Sequence, residues 1–181
     1  MKRQLYGGAL SCDVPSGFAD VSEFRQVPDN QEVFAEATTD RCVIIELLQM
    51  EETVTDAAAA AFYFNEIADS NGCTSTDRQL HQQFTMPATD VPMLQVPAHV
   101  AVGTQLVAKY KEAAKNVIQV YVCVLRLPQV TTDIVVSVTV PVAVNPDSSS
   151  RGHIATNVDD GSIFLKDIFR TMTVHDWGLF Q

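Results

Sequence analysis

The segment Val117–Leu127 reads Val-Ile-Gln-Val-Tyr-Val-Cys-Val-Leu-Arg-Leu, with only Gln119 and Arg126 polar. Its β-branched and aromatic residues favour a strand. A strand that is apolar on both faces must be covered on both faces, so it belongs in the middle of a layered domain. Pro128–Asp133 turns the chain, and Ile134–Val140 then alternates. Ile134, Val136, Val138 and Val140 share one face, and Ser137 and Thr139 lie on the other. So short a link predicts that these two strands pair antiparallel.

The other elements fit around that pair. Leu5–Val14 reads as one strand, ended by Pro15, with Gly7-Gly8 a bulge or a close backbone approach inside it. Asp20–Phe24 suits one helical turn, and Val27-Pro28-Asp29-Asn30 is turn chemistry. Gln31–Ala35 and Cys42–Leu48 read as strands, parted by a turn at Thr38–Asp40. Thr55 or Asp56 can cap a helix over Ala57–Ala68, built on five alanines and stopped near Asn71-Gly72. Thr74–Phe84 is a polar strand or a loop, Met86–Pro97 is broken by prolines, and Val100–Tyr110 is a further strand. Asn145–Asp160 reads as a loop. Ser162 can cap a last helix whose apolar face holds Ile163, Phe164, Ile168, Phe169 and Met172. Strands, helix, strands, helix around a doubly apolar strand imply an α+β fold. An antiparallel sheet of about six strands is sandwiched between helices, in a single domain over residues 1–181.

Charge narrows the function. With 12 basic and 22 acidic residues the net charge is −10, which repels phosphates and anionic lipid and favours a basic protein partner. No nucleic-acid or membrane partner is expected, and a monomer is. No apolar run approaches the roughly 18–20 residues of a bilayer span, and the N-terminus makes a poor signal peptide. The cysteines at 12, 42, 73 and 123 lack C-x-x-C spacing and read as free thiols of a reducing compartment. P-loop, dinucleotide, zinc-protease and serine-hydrolase motifs are absent, and the four histidines are scattered. Neither a cofactor nor a metal is expected, and no enzyme chemistry.

The residues that stand out are acids. Asp29 and Glu32 lie in Pro28-Asp29-Asn30-Gln31-Glu32, and Glu46 interrupts an apolar strand on the same alternation as Ile44 and Leu48. A carboxylate there either reaches solvent at a strand end or is a buried charge in need of a partner. Glu51, Glu52 and Asp56 follow, where the N-terminus of a helix favours acids.

Three blocks around these acids, Leu5-Tyr6-Gly7-Gly8-Ala9, Val27-Pro28-Asp29-Asn30-Gln31-Glu32-Val33-Phe34 and Ile44-Ile45-Glu46-Leu47-Leu48, resemble the Ran guanine nucleotide release factor (Mog) family of nuclear import factors. Leu125–Gln129 with Thr132–Ile134, and the C-terminal Val174-His175-Asp176 with Leu179-Phe180, extend the likeness over nearly the whole chain. The resemblance implies a fold similar to PsbP. It also implies binding to the small GTPase Ran with release of its guanine nucleotide, and a place in nucleus and cytoplasm. The partner surface it implies comprises Asp29, Gln31, Glu32, Glu46 and Gln49. Gln49 stands where the family has the second acid of an acid-Leu-Leu-acid motif. An amide can hydrogen-bond there but offers no charge. The alternative is a non-catalytic adaptor that binds Ran or a membrane protein without releasing nucleotide.

Overall fold

The computed structural model describes residues 1–110, 112–153 and 159–180. In chain order the strands and helices are β1 (Lys2–Leu5), β2 (Leu10–Asp13), β3 (Ala19–Asp20), β4 (Gln31–Ala35), β5 (Cys42–Gln49), α1 (Asp56–Ser70), β6 (Arg78–Met86), β7 (Ala98–Ala108), β8 (Lys115–Leu127), β9 (Thr132–Ala143), α2 (Asp159–Thr171) and β10 (Thr173–Val174). Among the described residues there are two antiparallel sheets. One has seven strands in the order β3-β4-β5-β9-β8-β7-β6, and the other is β1-β2-β10. The layered antiparallel architecture agrees with the sequence reading. The strand number exceeds the expected six, because the two-residue β3 adds a seventh strand to the large sheet and β1, β2 and β10 form a small second one.

The expected strand Val117–Leu127 is β8 without its first two residues, antiparallel to β9 as expected, with Val122 opposite Ser137 and Leu125 opposite Ile134. One face of the large sheet packs under α2 and the small sheet, where Phe34, Ile45, Leu125, Ile134, Ile168 and Phe169 are buried. The other face carries α1, whose Ala59, Ala60, Tyr63 and Phe64 settle on Ala101, Val120, Val122, Val124 and Val135. The alanines allow close approach, and Gly103 allows more. A Cβ there would lie 2.5 Å from the Phe64 ring.

Three local expectations need correction, and one left open is settled. Leu5–Val14 is a hairpin rather than one strand. Tyr6, Gly7 and Gly8 take φ of 49°, 66° and 96°, and Leu5 pairs back on Leu10. Glycine adopts that left-handed backbone at no steric cost, so the Gly pair makes a turn rather than a bulge. Thr74–Phe84 resolves into β6, an edge strand exposed on both faces and held by main-chain pairing to β7. Asp133 lies in β9, fully buried, rather than in the turn. Helix α2 begins at Asp159, so Ser162 is inside the helix and not its cap. Residues 154–158 of the expected loop Asn145–Asp160 lie outside the described residues.

Candidate functional site

Helix α1 lies over β6, β7 and β8. The neighbouring face of β5 and β9 is left open beside it, as a groove of about 650 Å³. Its floor is Ile44, Glu46 and Leu48 of β5 with Val135, Ser137 and Thr139 of β9, the two alternating sets that point away from α2. Phe62, Glu66 and Ile67 of α1 form the wall.

Glu46 is the chemically unusual member. It sits opposite Gln31 in the β4–β5 register. Gln31 Nε2 donates to its Oε1 at 2.6 Å. It has no ion pair among the described residues. Burial lifts its carboxyl above the ordinary carboxylate range, while the Gln31 hydrogen bond pulls the other way. Desolvating a charge without a counter-charge costs stability, so the fold gains nothing from Glu46 that a neutral isostere would not supply.

The other residues implied by the resemblance divide. Gln31 and Gln49 line the groove with Glu46. Asp29 is exposed in the preceding turn, where Gln31 N–H donates to the Pro28 carbonyl at 2.9 Å. Glu32 is opposite Ile45 and so faces the other side of the sheet. Its Oε1 accepts the Tyr6 N–H at 2.5 Å. The Tyr6 hydroxyl donates to the carbonyls of Ile45 at 2.8 Å and Asn30 at 3.0 Å. Glu32 therefore fastens the left-handed turn of the β1–β2 hairpin to β4. Burial raises its carboxyl too, opposed by the Tyr6 amide.

A buried network shapes the end of the groove near Gln49. Asp133 accepts from Arg126 Nε at 3.0 Å, from Tyr63 Oη at 2.8 Å and from the Glu51 amide at 3.1 Å. The same guanidinium donates to Asp56 at 2.8 Å, to the Val54 carbonyl at 3.2 Å and to the Glu51 carbonyl. Arg126, the one charge in the apolar strand, thus ties the β5–α1 loop to the sheet. Thr55 occupies the helix N-cap without a side-chain bond, and Asp56 is drawn to Arg126 instead. Glu51 projects into the groove, and hydrogen bonds from Thr53 hold its carboxyl low.

Reading the sequence missed Glu66, Ile67 and Phe62. Their only signal is helical spacing, Phe62 and Glu66 being four apart on one flank of α1. Among the described residues no group of three or more His, Cys, Asp or Glu could hold a metal ion. None of their helices is long and apolar enough to cross a membrane.

Residues 3–141 match the family described as Ran-interacting Mog1 protein. The chain belongs to the Ran-interacting Mog1 family. It is similar to the Ran guanine nucleotide release factor of Danio rerio, 40% identical over 99% of this chain and 100% of that protein. It is also similar to the nuclear import protein mog1 of Schizosaccharomyces pombe, 37% identical over 86% of this chain and 83% of the relative. The crystal structure of the Saccharomyces cerevisiae Ran-binding protein Mog1p has the same fold. Its TM-score is 0.76 at 24% identity, over 100% of this chain and 98% of that one. Cyanobacterial PsbP from Synechocystis shares the architecture more distantly, with a TM-score of 0.53 at 12% identity over 97% and 92% of the two chains. The PsbP-like fold expected of a Mog1 family member is thus the fold observed. The family blocks have structural roles here: the first two meet where Glu32 grips Tyr6, and the Leu125–Gln129 and Thr132–Ile134 blocks hold the Arg126–Asp133 pair.

Proposed function

We propose that this chain binds the GTPase Ran and promotes release of its bound guanine nucleotide, as a non-enzymatic regulator of nuclear protein import. Residues 1–181 act as one monomeric Ran-binding unit, at work in both nucleus and cytoplasm. Membership of the Mog1 family and relatives named as Ran guanine nucleotide release factors and nuclear import proteins support the reading. The observation that carries it is Glu46, a half-buried carboxylate with an amide partner and no counter-charge among the described residues, on the floor of an open groove.

A GTPase holds its nucleotide phosphates with a loop lysine and Mg²⁺. A carboxylate presented by a partner competes for such a lysine, and the fixed negative charge disfavours the phosphates nearby. No covalent bond is made or broken. The chain binds the nucleotide-poor GTPase more tightly, and by linkage nucleotide affinity falls by the same factor. Gln31 holds Glu46 in one orientation, Asp29 and Gln49 extend the contact, and Glu32 acts from behind by fixing the Tyr6 turn. Exchanging Glu46 for Gln removes the charge and keeps the shape. A charge-assisted contact contributes about 1.5–3 kcal/mol, so release per folded molecule should fall about tenfold or more. Undiminished release by Glu46→Gln would place the active acid elsewhere. One observation favours the adaptor alternative: Gln49 offers an amide where the resemblance leads one to expect a second acid. Gln49→Glu should then raise release.

A further inference from the structure

We propose that the groove between α1 and the β5–β9 face is a socket for a basic amphipathic segment of the GTPase partner. One bulky apolar side chain enters between Ile44 and Ile67, while lysine or arginine beside it meets Glu46 and Glu66. The proposal rests on the functional reading above and extends it from a charge contact to a shaped site.

Three observations carry it. The first is incomplete cover. The central strands are apolar on both faces, yet α1 sits over β6, β7 and β8, leaving Ile44, Leu48 and Ile118 partly exposed. The second is size. About 650 Å³ falls within the range of sites that enclose a compact ligand, and far exceeds one side chain. The third is charge. Glu46, Glu51 and Glu66 line the groove, and no Lys, Arg or His does. A mixed floor with apolar patches, whose only charged lining groups are carboxylates, repels a fatty acid or a phosphate and attracts a cation with an apolar body. The groove also has a direction. Towards Cys42 and Thr139 it runs into a second hollow of about 360 Å³ bordered by Arg25 and Lys109, the latter paired with Asp40. The cationic end of the segment therefore lies towards Glu46 and Gln49. That end includes Gln31, Glu46 and Gln49, so the socket is continuous with the surface the family resemblance implies.

The test uses Ran in its GDP- and GTP-loaded forms, titrated calorimetrically with the full chain. Ser137→Leu plugs the floor between Ile44 and Val122, its neighbours on the two flanking strands. Glu66→Lys reverses a charge on the exposed surface of α1, where substitutions barely affect folding. An apolar anchor excluded from its pocket should weaken Ran binding at least about tenfold in Ser137→Leu. Glu66→Lys should weaken binding several-fold and flatten its salt dependence at an unchanged melting temperature. If the unaltered chain binds Ran and both variants bind it equally well, the socket is refuted and the functional reading stands. If Ser137→Leu fails to fold, Glu66→Lys alone decides. If the unaltered chain does not bind Ran in either form, the functional reading falls and the socket with it.

Discussion

Replacing Asp133 by Asn tests the buried network that holds the groove's loop. Asp133 is fully buried, and its two oxygens accept from Arg126, Tyr63 and the Glu51 amide. Asparagine keeps the shape but brings one NH₂, which must face either the guanidinium or the two donors on the far side. Donor then opposes donor whichever way the amide turns. Asp56 is largely exposed and offsets little of the charge that Arg126 would keep. Leaving one member of a buried pair uncompensated costs about 3–5 kcal/mol. In a chain of this length each kcal/mol shifts the melting temperature by about 2–4 °C, so a fall of roughly 6–20 °C is expected. Tyr63→Phe removes one donor and spares the ion pair, costing about 1.5–3 kcal/mol. The double variant should cost less than the sum of the two, because both changes act on one carboxylate. Thermal and urea unfolding followed by circular dichroism measure all three, and hydrogen exchange at the Glu51 amide should quicken. A fall below about 2 °C for Asp133→Asn, or strict additivity with Tyr63→Phe, would refute this role for the network.

Other outcomes follow from the same geometry. A raised carboxyl binds its proton more tightly in the folded state, so Glu46 stabilises when protonated and loses that contribution as pH rises through its folded-state range. Glu46→Gln should therefore melt at the same or a higher temperature than the parent at pH 7, with the difference shrinking towards pH 4. A clear loss at pH 7 would mark Glu46 as a structural acid. Gly103→Ala should destabilise by about 1–3 kcal/mol, since the new methyl meets the Phe64 ring and the Gln79 carbonyl. A neutral result in urea unfolding would contradict the packing of α1 on β7. All four cysteines are free thiols, and burial pushes Cys12 up to about 12 and Cys42 up to about 11. Alkylation near pH 8 should be slow in the folded chain and reach all four on unfolding without reductant. Two or fewer labelled thiols would reveal a disulfide.

What could be read from the sequence had a local cause. The β8–β9 pair declared itself through apolar content and a short link, and α1 through its alanines. Where the cause was tertiary, the reading stayed open or failed. The polar strand β6 buries neither face, so it leaves no period of two and exists through its pairing with β7. Asp133 looked like a turn residue because nothing local shows that Arg126 lies across the hairpin to receive it. The acids were visible, but not their division. Glu46 and Glu32 belong to different strands, and only the β4–β5 register sends one into the groove and the other to the Tyr6 amide. Glu66 and Ile67 gain meaning only from the lateral offset of α1, which the helix's own residues do not state.

Nucleotide release from Ran is the most direct measurement. Ran loaded with fluorescent GDP or GTP is mixed with increasing amounts of the chain, and the loss of label is followed. Release should accelerate and saturate as Ran becomes bound, and Glu46→Gln should lose about tenfold or more of that acceleration while still folding. Release at the intrinsic rate from Ran saturated with the unaltered chain would contradict the nucleotide-release reading and leave the adaptor in its place.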